Sequence, residues 1–208
     1  MTAGRLQRLS ARFRLPRAGG RRYRSSGWLF LCGLLMIASG VLAAAIAPEG
    51  PSSVATLAAW LLLASGTAEL AAGVTGHHPE RAVDMVLGVL SLAAGAGLSL
   101  LPPGSGLSFA GLVTTWLLAR ASAELLAALA AFFRDEVLAA ARLARAGIDL
   151  LLGLLCLILS ATTGLVEVLV GWPAISVHSV MLAAGLSLIV AGSVHVALAA
   201  GSGRRSGE

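Results

Sequence analysis

Residues 81–103 read RAVDMVLGVLSLAAGAGLSLLPP. One Arg opens the stretch, twenty residues (82–101) follow in which Asp84 is the sole charge, and Pro102 and Pro103 close it. At about 1.5 Å per residue, a helix of that length covers the ~30 Å hydrocarbon core of a bilayer. Five further stretches have the same character: 27–47, 53–74, 107–133, 148–170 and 174–199. A chain that is 57% hydrophobic and 12% charged is not an ordinary soluble domain. The expected fold is therefore all-α, a polytopic membrane protein with six transmembrane helices.

Charge sets the expected orientation. All fifteen basic residues are Arg. The N-terminal tail holds Arg5, Arg8, Arg12, Arg14, Arg17, Arg21, Arg22 and Arg24, and alternate connections plus the C-terminus hold Arg81, Arg134, Arg142, Arg145, Arg204 and Arg205. The connections near Pro48–Ser52, Pro102–Gly106 and Gly171–Pro173 hold none. Basic loops stay on the cytoplasmic side, so both termini are expected there. Arg120 stands apart, inside a span. The basic surface fits an anionic lipid leaflet better than nucleic acid. For residues 5–17 two readings stay open, an interfacial helix presenting Leu6, Leu9 and Phe13 to the membrane or a disordered basic tail. Trp28–Ala47 exceeds the ~7–15 residue core of a secretory signal and is read as a retained helix. The expected organisation is a basic tail (1–26), a six-helix domain (27–200) and a short tail (201–208).

The six-helix domain repeats three times, as hairpins at about 27–74, 82–133 and 148–199. The first helices share Gly33, Gly88 and Gly153, with Gly40, Gly95 and Ser160 seven residues on, and Leu29, Asp84 and Asp149 four residues before. The second helices share Gly66-Thr-Ala-Glu69, Ala121-Ser-Ala-Glu124 and Gly192-Ser-Val-His195. Three hairpins inserted in one direction form a parallel repeat about the membrane normal, unlike the inverted repeats of many transporters. Small residues seven apart lie near one helix face. Between helices in lipid, close backbone approach replaces the hydrophobic drive. Gly33, Gly40, Gly88, Gly95, Gly153, Gly185 and Gly192 are therefore expected in helix–helix contacts.

Intramembrane charges are costly and mark candidate sites. Arg120 and Glu124, four apart on one helix, can pair; Glu69 has no partner in its own helix. Glu69, Glu124 and His195 share one repeat position, and with Asp84, Asp149 and Arg120 they make up the candidate polar cluster. Two readings stay open: a polar ring where the hairpins converge, or residues that mark the membrane–water boundary. Converged, the ring would change charge in mildly acidic conditions. Glu167 and His178 read as boundary residues at the outer end. No third ligand accompanies His77-His78-Pro-Glu80, so no metal is expected, and Cys32 and Cys156 suggest neither disulfide nor metal. No hydrolase elbow, phosphate loop or zinc-protease motif is present; neither enzymatic activity nor a cofactor is expected.

The segments Gly27-Trp28 to Gly40, Gly147-Ile-Asp-Leu-Leu-Leu-Gly153, and Gly171-Trp-Pro173 followed by Gly185 and Gly192, together resemble the HdeD-like membrane proteins of bacteria over about residues 25–200. The resemblance implies a six-helix inner-membrane protein built on a short hairpin repeat, with a link to acid resistance in the name-giving member and no catalytic residues to carry over. The leading expectation is a non-enzymatic protein of acid or envelope stress tolerance. The alternatives are a small proton-linked transporter or channel and a lipid-binding scaffold. Expected partners are anionic lipids, with a homo-oligomer compatible; protein partners are not specified by the sequence.

Overall fold

The computed structural model describes residues 26–45, 51–75, 81–100, 106–133, 139–170 and 174–203, with side chains described at 27–45, 53–75, 81–100, 109–133, 140, 142–159 and 178–200. The tails, the connecting turns, the segment from His77 to Glu80 and the side chains of Ser160 and Glu167 lie outside the described residues. Six helices and no strand are found among the described residues: α1 (Ser26–Ala45), α2 (Pro51–Thr75), α3 (Arg81–Leu100), α4 (Gly106–Phe133), α5 (Ala139–Val170) and α6 (Ala174–Gly203). Among the described residues, α1, α2, α3, α4 and α6 are each long and apolar enough to cross a membrane.

α5 corrects one expectation. The helix starts at Ala139, well before the expected 148, because the run Ala139-Ala-Ala-Arg-Leu-Ala-Arg145 is made of strong helix formers. Arg142 and Arg145, read from sequence as loop residues, are therefore helical.

The hairpins do not form the closest pairs. Packing is tightest between α1 and α6, α2 and α3, and α4 and α5; the two helices within each hairpin touch less. Each of these seams joins the second helix of one hairpin to the first helix of the next, and α6 closes on α1. The glycines show why. A Cβ on Gly33 would lie 2.7 Å from the Gly192 carbonyl oxygen, and one on Gly185 would lie 2.6 Å from that of Gly40. A Cβ on Gly88 would lie 2.6 Å from the Leu70 amide nitrogen, and one on Gly95 would lie 2.8 Å from the Leu63 side chain. At Gly153 the nearest atom belongs to the Leu118 side chain, 2.8 Å away. All seven expected glycines sit at a seam. Gly66 and Gly73 join them: a Cβ on either would meet backbone of α3.

The surface inverts the usual soluble pattern. Leu31, Trp60, Leu126, Phe132, Leu151 and Ile158 point outward, whereas Glu69, Asp84, Arg120, Glu124, Asp149 and His195 are buried. Apolar side chains outside and charges inside suit a bundle whose solvent is lipid.

Candidate functional site

Repeat-equivalent positions converge inside the bundle. Glu69, Glu124 and His195 form one set, Ser65, Arg120 and Ala191 the set four residues earlier, and Met36, Ser91 and Cys156 the set three residues after the shared glycine; all nine are buried. The backbone supplies three equivalent places at each level. Residue identity alone makes one part of the ring ionic.

Arg120 on α4 is the hub and is fully buried. Its Nη1 donates to Glu69 Oε2 at 3.0 Å and its Nη2 to Glu69 Oε1, a two-pronged contact across to α2. Its Nε donates to Asp149 Oδ2 on α5 at 3.1 Å. Paired carboxylates match the flat fork of a guanidinium, which is why Arg serves here better than Lys. The Arg120 guanidinium carbon also lies 5.6 Å from the Trp116 ring centroid. Ser91 links these parts: its hydroxyl donates to Glu69 Oε2 at 3.2 Å and accepts from Trp116 Nε1 at 3.1 Å and Arg120 Nη1 at 3.4 Å. One donor and two acceptor sites use the full capacity of that hydroxyl.

Arg145 is the second cation. Its Nε lies 2.6 Å from Glu124 Oε1, and its Nη2 lies 3.6 Å from Glu69 Oε1. Two guanidiniums, Arg120 and Arg145, thus face three carboxylates, Glu69, Glu124 and Asp149. The carboxylates are unevenly served: Glu124 Oε2 and Asp149 Oδ1 are buried without a hydrogen-bond partner, whereas both Glu69 oxygens accept.

A second pair lies between α3 and α6. His195 Nδ1 is 2.9 Å from the Ala191 carbonyl oxygen, and His195 Nε2 is 3.4 Å from Asp84 Oδ2. A carbonyl only accepts, so Nδ1 holds a proton. The Asp84 contact becomes an ion pair when the imidazole takes its second proton.

Several expectations change against this geometry. The Arg120–Glu124 pair within α4 exists but is loose at 3.9 Å; Arg120 is committed to α2 and α5. Glu69, without a partner in its own helix, is held by cations from two others. His195 is not alone, since Asp84 faces it. All six residues of the candidate cluster are buried between helices. His178 on α6 is exposed. No group of three His, Cys, Asp or Glu residues that could hold a metal occurs among the described residues, and Cys32 and Cys156 are free and buried. Three members were missed: Arg145, Ser91 and Trp116. Arg145 stands four residues before Asp149, a spacing that would have shown it on the same face had the helix start been placed correctly. Ser91 carries the repeat signal, three residues after Gly88. Trp116 carried none.

Residues 31–99, covering most of α1 and all of α2 and α3 but its last residue, match the family described as a short repeat of unknown function (DUF308). No curated protein and no solved structure matches the chain. The apolar helices and this repeat indicate a multi-pass membrane protein.

Proposed function

We propose that this chain is a non-enzymatic, HdeD-like multi-pass protein of a bacterial plasma membrane that contributes to acid or envelope stress tolerance, with the buried ion network as its proton-responsive part. One observation carries the reading: three carboxylates face two guanidiniums where burial makes an uncompensated charge expensive. One proton would balance the five groups. Taking it up removes charge from the interior, and releasing it restores a net negative charge among tightly packed helices.

The sign follows from that count. Between about pH 8 and pH 5 an unfolded chain keeps its carboxylates ionised, while the folded network holds one proton more. Stability therefore rises as pH falls through that window, since the folded state binds more protons. Thermal unfolding of the purified protein in detergent is the test. Wild type should melt higher at the acid end, and Glu124→Gln, which fixes a neutral group at the unevenly served position, should melt with a clearly weaker dependence on pH, the remainder coming from His195 beside Asp84. A wild-type pH dependence no steeper than that of the variant would remove the reading. Survival of a bacterial host after acid challenge, with wild type or Glu124→Gln expressed, tests the physiological part.

A second reading, proton-linked transport, is favoured by the origin of the five groups on three helices, α2, α4 and α5, whose relative movement would alter the pairing. A pH-sensitive dye in proteoliposomes decides it: no flux under any gradient removes transport and leaves a sensing role. Anionic lipids at the arginine-rich face, expected to be cytoplasmic, are the proposed partners.

A further inference from the structure

The two ends of the bundle differ in what covers the network. The terminal end is where α1 begins and α6 finishes. Between the network and that end, the buried described residues are mostly small, Ala72, Gly73, Ala128, Ala131, Ala146 and Ala199, together with Leu29, Asp84 and Arg145. Towards the far end the next level holds Leu62, Leu117 and Leu188, three repeat-equivalent leucines, followed by Val113 and Val180. Arg145 itself keeps a side-chain exposure of 8%, against 3% or less for Glu69, Arg120, Glu124 and Asp149. One turn nearer the helix start, Arg142 is half-buried, and its Nη1 donates to the Ala127 carbonyl at 3.4 Å. Two arginines on one face of α5 thus lead from the terminal end to Glu124.

Glu124 and Asp149 supply an independent observation. Both are buried, and both carry an oxygen without a hydrogen-bond partner, Glu124 Oε2 and Asp149 Oδ1. Such orphan acceptors in a low-dielectric interior are expensive unless a proton or a water reaches them. The charged groups facing Glu124 are Arg120 on its own helix, Arg145 and Asp149 from α5, and Glu69 from α2.

We propose that Glu124 is a proton-binding site loaded from the terminal end alone, along Arg142 and Arg145, while the Leu62–Leu117–Leu188 layer seals it from the far end. The step is a simple transfer. A hydronium O–H bond breaks, a carboxyl O–H bond forms on Glu124, and water remains. The side chains of Leu62, Leu117 and Leu188 carry no polar atom, with the buried hydroxyls of Ser187 and Thr114 next to Leu188 and Val113 along the chain, whereas Arg145 and Arg142 carry polar atoms from Glu124 towards the terminal end.

The proposal rests on the proton-responsive reading above and adds a side to it. Trp116, bonded through Ser91 to Glu69, is a built-in reporter. A variant retaining Trp116 alone (Trp28, Trp60 and Trp172 each →Phe) is reconstituted into liposomes in known orientation, and its fluorescence is followed after a pH jump on one side. A prompt change is expected from the terminal side and none from the far side; Leu117→Ala should open the far side. A prompt response from the far side of the unaltered layer overturns one-sided access while leaving the proton-responsive reading intact. No response to pH from either side overturns both. As a second measurement in a chain with Cys32 and Cys156 replaced by Ala, Ala128→Cys should react with a small charged thiol reagent at least ten-fold faster than Ala184→Cys; equal rates overturn the route.

Discussion

The α1/α6 and α4/α5 seams occupy equivalent places in the ring and are held in different ways. At α1/α6, Gly33, Gly40, Gly185 and Gly192 let backbone meet backbone, and a Cβ on Gly192 would come within 2.5 Å of the Gly33 carbonyl oxygen. At α4/α5, among the described residues, only Gly153 remains, facing a Leu118 side chain, and Ala121 stands where the other seams have Gly66 and Gly192. The ion pairs Arg120–Asp149 and Arg145–Glu124 cross that seam instead. A repeat specified by small residues fixes how helices approach but leaves the facing side chains free to diverge. One seam is a packing device, and its counterpart has room for charge.

Breaking the ionic seam should cost most. Arg120→Leu leaves three carboxylates against Arg145 alone, and removing one partner of a buried ionic set costs about 3–5 kcal/mol. Denaturant unfolding in mixed micelles measures it; a loss below about 1 kcal/mol would show that the network contributes little to folding. Arg120→Lys keeps the charge without the two-pronged geometry, so its loss should fall between wild type and Arg120→Leu.

Gly192→Ala comes next. The added methyl meets fixed backbone, so the helices must part, at about 1–3 kcal/mol. Gly153→Ala should cost less, about 1 kcal/mol or below, because Leu118 is only half-buried and its tip can swing outward. Equal losses for the two changes would erase the distinction between the seams. Smallest of all is Leu126→Ala on the outer face, where Leu126 is 68% exposed; a shift within about 0.5 kcal/mol is expected. A larger shift would mean that this face is covered in the folded state.

Much of this was readable before any coordinates. The apolar stretches, the three-fold repeat, the seam glycines and the candidate ionisable residues all follow from residue type and spacing. The reason is local: helix length, backbone clearance and the cost of a charge in hydrocarbon depend on the residue and its neighbours along the chain. The start of α5 was missed because Arg142 and Arg145 look like loop charges when loops are found by their arginines. Within an Ala-rich run they are helical, and that places Arg145 over Glu124.

Partner choice was decided elsewhere. The sequence offers Glu124 to Arg120 four residues away, yet Arg120 reaches Glu69, 51 positions distant, and Asp149, 29 positions distant. It offers no partner for His195, and the bundle supplies Asp84. Repeat equivalence puts these residues at common levels, but which side chains meet depends on which helices share a seam. Each short turn makes two helices neighbours in sequence, while the glycines pull each second helix onto the next hairpin and bring α6 back to α1. The sequence by itself therefore determined the helices, their repeat and which residues are costly to bury. Only the tertiary structure decided who neutralises whom, because a buried charge is satisfied by whatever lies within about 4 Å in space, whatever the distance along the chain.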